Sequence, residues 1–202
     1  MTAPTRSSLL LALRDPNDHR AWIDFVDLYT PLVFEQCVRR GLQDADAEDV
    51  TQEVMRAVAG AMQKFTYDPA RGRFRSWLQT VTRSKLADFF AHRDRRFVPA
   101  GDSTFHALPD SPGGGGTDAV WEESFRRRLF EVAAARVQEE FQDRTWKAFW
   151  RTSVDNVKAT VVAVELGMTV GAIYIARSRV LARLRAEIER LSEGTSTEPA
   201  AG

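Results

Sequence analysis

Three stretches of the sequence hold residues whose types and spacing could do chemistry or bind a partner. The first is an acidic run, residues 44–49, with four carboxylates in six positions. Clustered carboxylates can hold magnesium for phosphoryl transfer or act as an acid–base pair. No histidine or lysine base accompanies this run, and carboxylates also suit a helix start, where the dipole favours negative charge. We therefore interpret it as a solvated or partner-binding face, with no catalytic residue and no metal.

The second stretch, residues 67–96, interleaves basic and aromatic side chains. Cationic side chains can follow a phosphate backbone while aromatic rings stack on exposed bases. Because aromatic residues on a helix more often belong to the core, we expect Phe74, Trp77 and Phe89 to be at least partly buried. The candidate DNA-binding residues here are Arg73, Arg75, Trp77, Arg83, Lys85, Arg93 and Arg96.

The third stretch, residues 157–190, has a pattern that predicts a helix-turn-helix. Gly167 suits the turn and Thr169 can cap the second helix. The early exposed residues of such a second helix reach base edges, whereas later cations contact phosphates. The candidates are Tyr174, Ile175, Ser178 and Arg179 for bases and Arg183 for phosphates. Arg177 falls within the predicted apolar stripe and is expected to snorkel or to reach a phosphate. The alternative is an ordinary helical hairpin with a solvated basic end.

The elements that position these stretches are all helical. Apolar periodicity predicts helices at about 6–14, 18–40, 46–64, 74–95, 118–140, 143–153, 157–166 and 170–192. Asp46 is expected to cap the third of them. Three prolines and Gly113–Gly116 interrupt the pattern, so residues 97–120 are predicted to be a flexible linker without helix. The expected layout is an N-terminal domain (1–96), this acidic linker, a C-terminal domain (121–192) and a disordered tail (193–202).

Charge and cysteine content narrow the class of protein. The formal net charge is zero, yet residues 1–63 carry 6 basic and 10 acidic side chains while residues 64–96 carry 9 basic and 3 acidic. Such a chain can offer an acidic surface to one partner and a basic one to another. The single cysteine, Cys37, is expected to be a small buried thiol. We see no signal segment and no membrane span, which predicts a soluble, cytoplasmic protein without membrane insertion.

Taken in order, the three signals resemble the extracytoplasmic-function (ECF) group of bacterial sigma factors. Residues 46–54 look like its core-polymerase-binding helix. Residues 74–78 and the helix after them look like its promoter-melting, minus-ten-reading segment, and residues 170–185 look like its minus-thirty-five recognition helix. The sequence of residues 174–181 is similar to that of planctomycete-type members. The resemblance covers about residues 10–96 and 121–192.

This resemblance implies two all-α domains, sigma domain two and sigma domain four, on a flexible linker, with no cofactor and no enzymatic activity. It implies core RNA polymerase and promoter DNA as partners, and an anti-sigma factor as a further one. It adds Thr80 and Ser84 to the DNA-binding candidates; Ser84 stands where asparagine is frequent. The implied polymerase-binding residues are Asp46, Asp49, Gln52, Glu53 and Arg56.

Two other functions remain open. A stand-alone helix-turn-helix transcription regulator would share the C-terminal half but has no use for a carboxylate-faced helix followed by an aromatic-basic segment. A small metal-dependent nucleic-acid enzyme would use the aspartate cluster around Asp49. A palindromic footprint would favour the regulator, and cleavage lost on Asp49→Ala would favour the enzyme.

Overall fold

The computed structural model describes residues 9–62, 74–97 and 115–192, with the side chains of 94–97 and 115–118 outside the description. Within these ranges the chain forms eight α-helices and no strand, so the predicted all-α fold class is confirmed. The helices are α1 (Leu9–Ala12), α2 (His19–Arg39), α3 (Asp44–Met62), α4 (Phe74–Phe97), α5 (Gly115–Glu139), α6 (Asp143–Ser153), α7 (Ala159–Leu166) and α8 (Val170–Leu191).

Two helix starts differ from the sequence prediction. Helix α5 begins at Gly115, inside the predicted linker, so the expectation that Gly113–Gly116 excludes helix is wrong for its last two residues. Glycine costs about 1 kcal/mol in a helix interior, and packing further along the same helix offsets a cost of that size. Helix α3 begins at Asp44, which leaves Asp46 in the first turn rather than at the cap. The carboxylates there still face the positive end of the helix dipole.

The described chain divides into two compact units, and the division falls inside α5, between Arg126 and Arg127. The first unit contains α1 to α4 together with the first part of α5. Residues 121–126, predicted from the sequence to belong to the second domain, lie in this first unit. The second unit contains the rest of α5 and the helices α6 to α8.

An aromatic cluster forms the core of the first unit. Phe25 and Tyr29 on α2 and Phe74 on α4 are fully buried, with ring centroids 4.8 to 6.0 Å apart. Asp18 caps α2 by accepting a 2.9 Å hydrogen bond from the Ala21 amide. The cluster holds α4 against α2 and so sets which side of α4 faces outward. Cys37 is fully buried on α2, as predicted.

The core of the second unit joins α6, α7 and α8. Ala148, Val162, Ala163, Ile173 and Ala176 form a buried cluster, closed by partly buried residues that include Leu166 and Met168. Small side chains at 148, 163 and 176 let the three helices approach closely. No single helix among the described residues is long and apolar enough to cross a membrane; α7 and α8 meet that test only as a pair bent by 101°.

Candidate nucleic-acid interface

The outer face of α3 is polar because its other face supplies the core. Ala47, Val50, Val54 and Val58 are buried, a spacing that leaves the opposite side of the helix to solvent. Four of the five residues predicted to bind polymerase are exposed there: Asp49, Gln52, Glu53 and Arg56. The fifth, Asp46, is half-buried in the first turn. Asp49, Gln52, Glu53 and Arg56 share one polar face of α3, because they are spaced three and four residues apart.

Helix α4 presents a second polar face. Thr80, Arg83 and Ser84 are exposed and lie on one side of the helix, since Arg83 and Ser84 follow Thr80 by three and four residues. The Thr80 hydroxyl donates to the Ser76 carbonyl oxygen at 3.0 Å. Lys85 is half-buried, and its Nζ lies 3.5 Å from Glu53 Oε2 on α3. The predicted DNA face and the predicted polymerase face are therefore adjacent.

Two aromatic contacts shape the ends of the α4 face. Trp77 is half-buried with its ring centroid 5.3 Å from that of Phe74, so part of the indole is accessible. Phe89 is half-buried as well, so the expected partial burial of Phe74, Trp77 and Phe89 is confirmed. The guanidinium of Arg93, near the end of α4, lies over the Phe90 ring at 4.8 Å. A guanidinium on an aromatic face remains available for an anion on its outer side.

Arg75, a predicted DNA contact, points into the protein. It is only 6% exposed. Its Nε and Nη2 donate to the two carboxylate oxygens of Glu122 on α5, at 3.0 and 3.2 Å, and its guanidinium lies 4.2 Å from the centre of the Phe125 ring. The alternation that put Arg75 among the basic residues of α4 did not reveal that it points inward. In this arrangement the positive charge of Arg75 is paired inside the protein with the carboxylate of Glu122.

The beginning of α8 is exposed to an unusual extent for apolar residues. Tyr174 is 57% and Ile175 is 55% exposed, and Ser178 and Arg179 are exposed beside them. The other side of the helix is held in the core by Ile173, Ala176, Val180 and Leu184. Arg177 is exposed, which agrees with the expectation that its side chain reaches outward from the apolar stripe, while Ala176 beside it is buried.

Arg183 is the one α8 candidate whose charge is strongly engaged. Its Nε and Nη2 each donate to Glu140 at 2.6 Å, and Nη2 also lies 3.5 Å from Glu187. The hydrogen bonds to Glu140, against some desolvation, raise the pKa of Arg183 above its ordinary value. A phosphate at this position would have to compete with two carboxylates.

The turn between α7 and α8 is fixed from both sides. Gly167 caps α7 in the left-handed conformation, at φ +58°, and Thr169 Oγ1 accepts a 3.1 Å hydrogen bond from the Ala172 amide at the start of α8. Arg144 on α6 donates from Nε to the Leu166 carbonyl oxygen at 2.8 Å and from Nη2 to the carbonyls of Leu166 and Gly167. A cation thus binds the carbonyls at the C-terminal end of α7, where the helix dipole is negative.

Comparison with known families found a similarity within the first compact unit. Residues 25–96 match the model of the family described as Sigma-70 region 2. We call residues 25–96 the region 2 domain, after the family that they match. The match supports a sigma factor of the sigma-70 family, a non-enzymatic factor that binds RNA polymerase and takes part in promoter recognition at transcription initiation. A search of curated proteins found no match to this chain.

The region 2 domain takes in all of α3 and most of α2 and α4. The exposed faces of α3 and α4 described above therefore belong to it. Among its predicted DNA-binding residues, Arg73 lies outside the described part of the chain, and Arg96 lies on α4 with its side chain outside the description. Helix α5 begins beyond the matched segment, so the carboxylate that binds Arg75 comes from outside the region 2 domain.

Sequence reasoning missed two residues that hold the candidate surfaces in place. Glu122 binds a residue 47 positions away, and Arg144 binds carbonyls 22 and 23 positions away. No local periodicity or capping pattern announces contacts of that separation. In the part of the chain that the structure describes, no group of three or more His, Cys, Asp or Glu side chains is placed to hold a metal ion.

Proposed function

We propose that this chain is an ECF-type sigma factor, planctomycete-like in its recognition helix, which binds core RNA polymerase and directs it to promoters. The observation that carries the proposal is the sigma-70 region 2 match over residues 25–96. The exposed polar face of α3 supports it further. Asp49, Gln52, Glu53 and Arg56, with Asp46 at its edge, are the residues we propose to contact polymerase.

Helix α4 is the proposed reader of the minus-ten element. The exposed Thr80, Arg83 and Ser84 would contact the strand, and the accessible part of Trp77 can stack on an unpaired base. Lys85 and Arg93 add charge along the same helix. Arg73 and Arg96 belong to the same predicted set of DNA-binding residues.

Helices α7 and α8 are proposed to be a helix-turn-helix that reads the minus-thirty-five element. The bend of 101° between them lies within the range of about 90–120° typical of this motif. The exposed start of α8, with Tyr174, Ile175, Ser178 and Arg179, is where such helices contact base edges. Within the predicted linker, residues 98–114, between the end of α4 and the start of α5, are the part proposed to join the two DNA-binding parts.

Energetics favour a protein that works only with polymerase. Unstacking about ten base-pair steps costs on the order of 14 kcal/mol, at ~1.4 kcal/mol per step. Two or three captured bases return only about 1–3 kcal/mol each. The chain alone is therefore not expected to open a promoter. A cytoplasmic location and control by an anti-sigma factor are part of the same proposal.

Run-off transcription with bacterial core RNA polymerase tests the proposal. Genomic fragments from the source organism should yield specific transcripts only when the chain is added. The double change Asp49→Ala, Gln52→Ala should abolish them together with complex formation on gel filtration. The matched control Gln138→Ala, Glu139→Ala also removes one amide and one carboxylate from exposed positions, but outside α3, and should leave both unchanged.

A different outcome would point to the stand-alone regulator. If the chain forms no complex with core polymerase, gives no transcripts and leaves a palindromic footprint on duplex DNA, the exposed start of α8 acts without polymerase. The sigma proposal would then be wrong, and the region 2 domain would serve some other contact.

A further inference from the structure

The first part of α5, residues 121–125, packs against α2 and α4 within the first compact unit. We refer to it as the docked segment. Trp121 and Phe125 are 6% and 3% exposed, and the Phe125 ring stacks on Tyr29 of α2 at 5.7 Å between centroids. Ser124 Oγ accepts a 3.4 Å hydrogen bond from Arg39 of α2. The attachment thus combines aromatic burial with polar contacts.

The bond between Arg75 and Glu122 is the strongest anchor of the docked segment. Two parallel N–H···O bonds join a guanidinium to a carboxylate, a geometry that is stronger and more specific than a single ion pair. The Phe125 ring lies against the same guanidinium at 4.2 Å. The docked segment therefore encloses one of the cations of α4 between a carboxylate and an aromatic ring.

Several buried polar atoms near this anchor have no hydrogen-bond partner among the described residues. Gln36, Gln79 and Trp121 are each more than nine-tenths buried, yet both amide atoms of Gln36, Nε2 of Gln79 and Nε1 of Trp121 have no hydrogen-bond partner among the described residues. All three side chains line a cavity of about 270 Å³ between α2, α4 and α5. The cavity leaves the docked segment incompletely packed against α2 and α4, so separating these surfaces costs less than opening a close-packed core.

A specific ion pair beside an incompletely packed cavity is typical of a contact that can open. We propose that the docked segment is a reversible intramolecular partner of the region 2 domain, which withholds Arg75 from nucleic acid until the segment is displaced. The partner chemistry that the surface accepts is an acidic-aromatic helix, Trp-Glu-Glu-Ser-Phe in this chain. The proposal rests on the proposed function, because it assumes that α4 faces promoter DNA.

The size of the expected change in DNA affinity depends on the fraction of molecules in which the docked segment is closed against the region 2 domain. When only a fraction of the molecules is open, the apparent dissociation constant for DNA rises by the inverse of that fraction. Weakening the anchor should move the chain toward the open form and raise its affinity for single-stranded DNA. A closed form that outweighs the open one by about ten to one would permit a gain of up to about tenfold.

The chain offers a matched pair of variants for the test. Glu122→Gln removes the carboxylate that binds Arg75, whereas Glu123→Gln makes the same change of charge at an exposed neighbour paired only locally with Arg126. Binding of the full-length chain to a fluorescein-labelled 20-nucleotide single-stranded oligonucleotide is measured by anisotropy. Hydrogen exchange of amides 121–125 is measured on the same samples.

Glu122→Gln should tighten binding about 5- to 10-fold and speed exchange in the docked segment, while Glu123→Gln changes binding less than twofold. Adding Arg75→Gln to Glu122→Gln should remove the gain, since Arg75 is the group released. Equal binding and exchange in the two single variants would overturn the proposal. Run-off transcription by the unaltered chain reports separately on the sigma function: transcripts without a Glu122 effect reject only the docked segment, and a Glu122 effect without transcripts rejects only the sigma function.

Discussion

Arg183 on α8 binds Glu140 through two N–H···O bonds, each 2.6 Å long. Glu140 follows the last turn of α5, so the pair joins two elements 43 residues apart. Its partners are more than a third exposed, which places the bond at the surface. A residue first interpreted as a phosphate contact therefore also ties α8 to the end of α5.

The pair predicts different outcomes for two arginines on the same helix. Arg183→Ala should lower the free energy of unfolding by no more than about 1 kcal/mol, because exposed ion pairs are screened by solvent. Arg179→Ala, at an exposed position near the start of α8, should leave stability unchanged and reduce discrimination at one promoter position by about 1–3 kcal/mol. Urea denaturation and run-off transcription on promoter variants check the two. If Arg183→Ala and Arg179→Ala reduced promoter discrimination equally, Arg183 would be available to bind DNA in the complex.

The backbone conformations of Gly167 and Gly171 predict that alanine at these two positions will change stability in opposite directions. Gly167→Ala should destabilise the second unit by about 1–2 kcal/mol, since its φ of +58° is strained for alanine. The new Cβ would also lie 3.2 Å from Arg144 Nη2. Gly171→Ala is the control: nothing lies closer to its Cβ than Thr169 Oγ1 at 4.0 Å, and alanine should stabilise α8 by about 0.5–1 kcal/mol. Thermal melts of the two variants should shift in opposite directions.

Glu187 predicts acid sensitivity of the second unit. It is only 3% exposed on α8 and lies 2.6 Å from Arg190 and 3.6 Å from Arg136. Burial alone would raise the pKa of this carboxyl, but the hydrogen bond and charge of Arg190, with Arg183 and Arg136, hold the pKa below its ordinary 4.5.

The sign of the pH effect follows from that lowered pKa. Below pH 4.5 the unfolded chain binds a proton that the folded chain still refuses, so stability present above pH 4.5 is lost as the pH falls toward the folded pKa. Urea denaturation between pH 7 and pH 3 should show this loss. Glu187→Gln should be less stable at pH 7 and less dependent on pH in the acid range. An identical slope in the variant would contradict the assignment.

Cys37 predicts an inert thiol in the folded protein. Burial raises its pKa to about 11, so almost no thiolate is present at pH 8, and the sulfur is fully enclosed. Iodoacetamide should therefore fail to label the native chain at pH 8 and should label it rapidly in urea. Labelling of the native chain within minutes would show that α2 opens on that timescale.

Local patterns predicted most of this fold. The six helix starts at α2, α4, α6, α7, α8 and α3 lie within about two residues of the predicted positions, because apolar periodicity and turn residues such as Gly167 act over short distances. The exposed positions on α3 and at the start of α8 follow from the same periodicity. Buried charge did not follow from it. Arg75 lies inside against Glu122 of α5, and Glu187 is buried against Arg136 of α5 as well as against Arg190 of its own helix.

The exposed Ile175 has a consequence for the kind of promoter the chain can read. An aliphatic side chain has no hydrogen bond to offer, so in the major groove it distinguishes bases by contact with the thymine C5-methyl group. The proposed minus-thirty-five element should accordingly carry a thymine opposite the first turns of α8. Replacing that thymine with uracil, which lacks only the methyl group, would weaken the promoter. A 5-methylcytosine at a neighbouring position would offer the same side chain a methyl group to contact.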